Sequence, residues 1–439
     1  MIMEKNDFIL LVEHLNINNG TLEKIALETG FIKRERLITA SDFLCAVCVE
    51  SAYGIASYND IAAHIDAQGD LSVSKQAIWK KMNLPCEDFF KKILAIIITS
   101  KIDRDTFELI RAKNIYKRIL VQDSTIIPLP IKLFAYFSGV ANGQSKVCNA
   151  RVQCVYDLIS EQFISFSIDP YSKNDLLAAP EIMLEEGDLV LRDRGYLIND
   201  EIQRHIYNNA HCIYRYKFPM ILKDPKTEKP IDLFSILKKV KYLDIKIMLN
   251  NKTKTIVRLL AYPVSQEIAD KRRMKAKKEN KTYPSKELLE SMSWSIYITT
   301  ITDENIDYAF IYKAYSLRWR IEIIFKCWKS NMAFHKIHNV SKIQLNVLLL
   351  ARFIMIIICA QLIFRPCRLL IKKYFNRDLS MLKLTKYLLR NVSIIAHIME
   401  EINNFDKISG IGIKTLAKFC TYDKRKRLNY QQVIDALFC

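Results

Sequence analysis

The sequence predicts a mixed α/β protein, a sheet flanked by helices, with helical segments before and after it. Three observations carry this. Between residues 118 and 217, short β-rich runs and helix-forming stretches follow the order β-β-β-α-β-α-β. A second group of alternating runs lies between residues 245 and 301. The stretches at either end show helical periodicity instead. The chain has 439 residues, half of them hydrophobic, with only 10 Gly and 11 Pro, which fits a compact protein of a few domains. Lys and Arg outnumber Asp and Glu by 66 to 47. That excess points to a polyanionic partner, nucleic acid ahead of an anionic membrane.

Residues 1–115 are expected to be helical. Ser41 can cap a helix running through Phe43, Leu44, Val47 and Val49. Tyr58 to Ile65 makes a short helix, and Ala67-Gln-Gly-Asp70 breaks it. Ser74 caps the next, Lys75 to Met82. Two short helices around a Gly-containing turn resemble a helix-turn-helix, which would offer Lys75, Gln76, Trp79, Lys80 and Lys81 to DNA; an ordinary helical hairpin has the same pattern. Glu87 to Arg111 continues helical. Met1 to Leu10 mixes acidic and basic residues before any apolar run, so no secretory leader is expected. Eleven scattered cysteines suit reduced thiols in a cytoplasmic protein. Cys45-x-x-Cys48 lies in an apolar helix and reads as buried thiols; His335-x-x-His338 is a weak metal signal.

Residues 116–220 hold the first strands. Arg118 to Pro128 is β-rich with Asp123 inside it. Arg151 to Leu158 and Glu161 to Ile168 follow as strands. Asn174 to Leu184 is helix-forming, though Pro180 interrupts it. Gly187 to Asp193 is a buried strand ending on a carboxylate. Asn199 to Asn208 is helical, and His211 to Lys217 is another strand. Within residues 221–302, Ile245–Met248, Thr253–Tyr262 and Trp294–Ile301 alternate like strands. The same segment contains Asp270-Lys-Arg-Arg-Met-Lys-Ala-Lys-Lys278. This run is either a solvated helix face or a set of phosphate contacts through Lys271, Arg272 and Arg273.

Tyr315-Ser-Leu-Arg318-Trp-Arg-Ile-Glu322-Ile-Ile-Phe-Lys-Cys-Trp-Lys329 has no Gly or Pro and reads as one helix. At roughly 100° per residue, Tyr315, Arg318, Glu322 and Lys329 share one narrow stripe. Leu317, Ile321, Ile324 and Trp328 form a separate apolar stripe. A carboxylate between a guanidinium and an ammonium suits a phosphate-and-metal site, and a solvated face with an Arg318–Glu322 ion pair fits the same spacing. Ile343 to Phe364 is strongly apolar. Arg352 near its centre argues for a helix buried behind the sheet rather than a membrane span. Basic stretches follow at Lys372-Lys373 and Lys424-Arg-Lys-Arg427.

Tyr315-x2-Arg318-x3-Glu322-x6-Lys329 resembles the Y-R-E-K signature of DDE transposases of the insertion-sequence-4 family. Asp123-Ser-Thr and Asp193-Arg-Gly-Tyr196 resemble that family's motifs on the first strand and after the fourth. Leu-Val-Leu-Arg before Asp193 and Tyr-Arg-Tyr-Lys217 also fit, so the likeness covers roughly residues 115 to 350. It implies a ribonuclease-H-like catalytic core in two parts, residues 116–220 and 303–365. A β-rich insertion (221–302) would precede the catalytic Glu helix. A helical DNA-binding domain (1–115) and a helical C-terminal region (366–439) would flank the whole.

The resemblance further implies cut-and-paste transposition of an insertion sequence. Asp123, Asp193 and Glu322 would be the catalytic carboxylates holding two Mg2+ ions, with Mn2+ able to substitute. Tyr315, Arg318, Lys329, Arg194 and Tyr196 would contact DNA, and Trp294 would either stack on a displaced base or pack in the core. The partners would be double-stranded DNA, as inverted repeats and target, and a second copy of the chain in the synaptic complex. The setting would be the nucleoid of a prokaryotic cytoplasm, with no membrane. A nuclease that cuts without joining, and an inactive DNA-binding derivative, are the alternatives.

Overall fold

The computed structural model describes residues 5–15, 17–34, 37–69, 72–99, 115–139, 146–279, 282–391, 394–403, 411–423 and 428–438. One nine-stranded mixed sheet, flanked by helices, runs through it. In chain order its strands are β1 Arg118–Pro128, β2 Asn149–Asp157, β3 Gln162–Pro170, β4 Asp188–Arg192, β5 His211–Arg215, β6 Leu222–Lys223, β7 Leu243–Leu249, β8 Ile256–Pro263 and β9 Trp294–Thr299. Across the sheet the order is β3-β2-β1-β4-β5-β9-β8-β7-β6. The first five follow the ribonuclease-H-like arrangement. β1 is antiparallel to β2 and parallel to β4, and β4 is parallel to β5.

The insertion strands continue this sheet instead of forming a layer of their own. β9 pairs antiparallel with β5 on one edge and with β8 on the other. An alternating strand looks the same whichever neighbour it takes, so only packing decides this.

Local signals place most helices. Lys75–Lys81 is capped by Ser74 and follows Tyr58–Gly69. Ala40–Tyr53 is capped by Thr39, with Asp42 completing a capping box; Ser41 lies in its first turn and is not the cap. The helix expected over 174–184 is only Asp175–Ala178, because Pro180 disfavours helical backbone at Ala179. Leu84–Thr99 is helical; the expected continuation to Arg111 and the run Lys424–Arg427 lie outside the described residues. Cys45 and Cys48 are buried within Ala40–Tyr53. His338 meets the ring of Tyr58 edge-on at 5.4 Å and the carbonyl of Ile55 at 3.2 Å.

The apolar stretch becomes one long helical run. Lys342–Ile357 is α-helical, Ile358–Phe364 is π-helical, and Arg365–Phe375 is α-helical again. Pro366 does not end the run. It needs no N–H partner, and the wider turn just before it leaves room for the ring. The run is apolar enough to cross a membrane, but 94% of its most apolar window is buried inside the protein. It packs against Ala40–Tyr53 and Leu84–Thr99.

At its centre Arg352 is 1% exposed. It donates to the carbonyls of Ser51 and Gly54 at the end of Ala40–Tyr53, and of Phe334 and Lys336 beyond the Glu322 helix. Carbonyls at a helix C-terminus carry partial negative charge, so this guanidinium is balanced by main chain. Burial still pushes its pKa down to about 10. Arg352→Met leaves four carbonyls without their donor and is expected to lower unfolding free energy by about 3 kcal/mol in urea titration. Arg352→Lys should restore little of it, because one ammonium cannot span both segments.

Candidate active site

Asp123 sits in the middle of β1, opposite Cys154 of β2. On the other side Gln122 pairs with Arg192, the last residue of β4. Asp193 follows directly, and its charge acts on Asp123. The Ser124 N–H donates to Asp123 Oδ1 at 2.8 Å. The Ser124 hydroxyl donates to Asp175 at 2.5 Å and receives Arg151 at 3.1 Å, while Arg151 also pairs with Asp175. Arg151 and Asp175 thus steady the strand at the site. No sequence motif marked them.

The stretch from Tyr315 to Lys329 is two helices, not one. Tyr308–Ser316 ends and Trp319–Asn331 begins around Leu317 and Arg318. The backbone there stays right-handed, but its hydrogen bonds tighten to three-residue spacing: Leu317 to Ala314, Arg318 to Tyr315, Arg320 to Leu317 and Ile321 to Arg318. The joint carries Arg318 onto β1. Its guanidinium donates to Asp123 Oδ2 at 3.0 Å and to Glu322 Oε1 at 2.6 Å.

Asp123, Asp193 and Glu322 share one electrostatic field. Burial pushes the Asp123 carboxyl up to about 6, helped by the charges of Asp193 and Glu322 and opposed by the Ser124 N–H and Arg318. Among the described residues no three His, Cys, Asp or Glu side chains converge on one point. Instead Arg318 serves Asp123 and Glu322 as an internal cation. The acidic donors are all hard oxygens, and Asp123 gains from any added positive charge. The residues therefore fit a hard divalent cation such as the metal ions DDE transposases use.

The other expected contacts are placed unevenly. Lys329 donates to the carbonyl of Ile126 on β1 at 2.8 Å, and burial lowers its pKa. Tyr315 is buried, pushed up to about 12, and meets Tyr297 edge-on at 5.2 Å. Arg194 is exposed beside Asp193. Tyr196 is buried and donates to Gln153 at 3.0 Å, so it braces the sheet and is not presented to DNA.

Trp294 lies with Ile296 and Ile298 in the insertion's own core, on the face opposite Tyr297. It is not brought to the carboxylates. In Gln266–Glu279, Lys271 is exposed and pairs with Glu267 at 2.5 Å. Arg272 donates to the Trp294 carbonyl at 3.0 Å, and Arg273 to the Leu289 carbonyl at 3.3 Å. These two tie the helix to the insertion, because long side chains over a half-buried face meet main chain first. Lys75, Gln76, Trp79 and Lys80 are exposed on one short helix.

A proton on Asp123 competes with a metal ion. Below about 6 the carboxyl is neutral and above it ionised. Affinity for Mn2+, read by calorimetry, is expected to rise as pH rises through that range, and Asp123→Asn should flatten the rise.

Residues 116–358 match the family model described as transposase DDE domain. The chain is 27% identical over 395 residues to the transposase for insertion sequence element IS231E of Bacillus thuringiensis subsp. finitimus, covering 84% of this chain and 82% of that one. It is 27% identical over 400 residues to the transposase for IS1151 of Clostridium perfringens, covering 84% and 83%. A solved piggyBac transposase synaptic complex with hairpin DNA aligns over 98% of this chain and 88% of that chain, with a TM-score of 0.43 and 9% identity. The matched region spans the strand that holds Asp123, the strand that leads into Asp193 and the helix that bears Glu322, and the chain belongs to the transposase DDE domain family, a family of nucleic-acid-processing enzymes.

Proposed function

We propose that this chain is the cut-and-paste transposase of an insertion sequence of the insertion-sequence-4 family, with Asp123, Asp193 and Glu322 as its catalytic carboxylates. The observation that supports this is Arg318 bridging Asp123 and Glu322, two acids far apart in the chain, with the charge of Asp193 acting on Asp123. Asp123 would hold both of two Mg2+ ions, and Asp193 and Glu322 one each, with Mn2+ able to substitute. Bound there, the pair supplies charge neutralisation for in-line displacement at phosphorus.

The chain's own groups do the positioning. The planar fork of Arg318, which spans two carboxylates, also matches a phosphate bidentately. Lys329 adds an ammonium at the far end of the Glu322 helix. Exposed Arg194 and Lys271 meet backbone phosphates, and Lys75, Gln76 and Lys80 contact duplex DNA from the N-terminal helices.

Water cleaves one strand at an inverted repeat and frees a 3′-hydroxyl; that hydroxyl attacks the opposite strand, closing a hairpin and releasing the flanking DNA; a second water reopens the hairpin, and the 3′-hydroxyl freed again attacks target DNA. Each step is the same displacement, so one site serves them all. Two element ends must be joined at once, which calls for a homodimer in the synaptic complex. The setting is the nucleoid of a prokaryotic cell, and the net charge of +19 suits it.

The test is strand transfer into a plasmid from a duplex carrying the inverted repeat that flanks the gene. Joined product is expected with Mg2+. Asp193→Asn should lower cleavage roughly a thousandfold without changing the melting temperature. Cleavage without joining would instead identify a nuclease, and an Asp193→Asn variant as active as the parent would remove the metal site.

A further inference from the structure

The helix Tyr430–Phe438, near the end of the chain, lies beyond the matched domain, yet both of its ends touch the frame of the carboxylate site. At one end the Phe438 ring meets Tyr116, two residues ahead of β1, at 5.9 Å and Phe310, on Tyr308–Ser316, at 5.5 Å. At the other end the Tyr430 ring lies 4.0 Å from the guanidinium of Arg320, in the first turn of the helix that bears Glu322.

Arg320 is 2% exposed, and among the described residues its Nε and Nη1 have no hydrogen-bond partner. Soft groups surround its charge: the Tyr430 face, the Phe364 ring at 5.5 Å and the Met381 sulfur at 3.7 Å. An aromatic face attracts a cation most strongly where water is kept out, so the nearer ring, Tyr430, compensates this buried charge. Tyr430 is itself aimed. Its hydroxyl donates to Glu161 at 2.9 Å and accepts from Gln431 at 3.0 Å. Glu161 sits in the turn between β2 and β3 with a φ of 55°, a left-handed backbone that suits glycine or asparagine better than glutamate. It is 2% exposed and also accepts from Arg368 at 2.8 Å. A buried carboxylate kept on a strained turn, with two donors converging on it, is there for its side chain.

Arg320 and Glu322 are two residues apart, roughly 200° round a helix, so they leave it on opposite sides. A roll of the helix that lets Arg320 reach water carries Glu322 away from Arg318 and β1. We propose that Tyr430 is a positioning residue for Glu322: its ring, oriented by Glu161, holds Arg320 in place and so fixes the angle at which the helix presents the carboxylate to β1. This rests on Glu322 being a metal-binding carboxylate, as proposed above. It gives the C-terminal region a part in the chemistry that needs no contact with DNA.

The experiment uses the full chain, with Mn2+ alone as the probe and calorimetry above pH 7 as the readout. Melting temperature and affinity for a short DNA duplex in EDTA are measured beside it. Tyr430→Leu should weaken Mn2+ binding roughly tenfold and leave duplex affinity unchanged. Tyr430→Phe keeps the ring and should bind Mn2+ like the parent. Asp42→Ala opens the capping box of Ala40–Tyr53 and should lower the melting temperature without changing Mn2+ affinity. On an Arg320→Met background Tyr430→Leu should cost no further affinity, because the charge that the ring answers is gone. If Tyr430→Leu by itself does not fold, adding Arg320→Met should restore the fold. The proposal is overturned if Tyr430→Leu binds Mn2+ like the parent, if Tyr430→Phe loses as much as Tyr430→Leu, or if the loss, or the failure to fold, is the same with Arg320→Met. A Glu322→Gln variant that binds Mn2+ like the parent would remove the catalytic reading itself; if Glu322→Gln weakens binding and Tyr430→Leu does not, this proposal alone falls.

Discussion

Arg318 lies between Asp123 on β1 and Glu322 on the following helix, and its guanidinium ties that helix to the sheet. Two carboxylates brought this close at a half-buried surface need a counter-charge. Arg318 supplies one from within the chain, and the short helical joint around Leu317 exists to deliver it. The same joint buries Tyr315 against Tyr297.

The helix that bears Glu322 is gripped from its other side too. Arg320 stacks 4.0 Å above the ring of Tyr430, near the end of the chain. The Tyr430 hydroxyl donates to Glu161 at 2.9 Å, and Arg368 reaches the same carboxylate at 2.8 Å. Buried arginines are costly unless compensated, and here aromatic faces and one shared glutamate do so. Arg352 solves the same problem with main-chain carbonyls, and in doing so ties the N-terminal helices to the segment after the Glu322 helix. The carboxylate on one face therefore stands on a helix whose position is over-determined on the others.

Continuity of the sheet shapes the rest. Because β9 adds to β5, the insertion prolongs the catalytic sheet and covers what would be an open edge. Its strand alternation then sorts side chains between two faces. Trp294, Ile296 and Ile298 go to the insertion's core, and Ser295 and Tyr297 to the face shared with the catalytic helix.

Much of this was legible beforehand. The span of β1, the cap at Ser74 and the burial of the long apolar helix all depend on local composition and spacing, which the chain carries with it. The break at Leu317–Arg318 was not legible, since no Gly or Pro marks it and it arises from seating Tyr315 and Arg318 against other elements. Nor was the burial of Tyr196, the face taken by Trp294, or the diversion of Arg272 and Arg273 to carbonyl groups. By itself the sequence determined the family, because residue types and their spacings are carried by the chain whatever it packs against. Only the tertiary structure decided which groups face one another, because strand neighbours, face parity and hydrogen-bond partners follow from packing between segments distant in the chain.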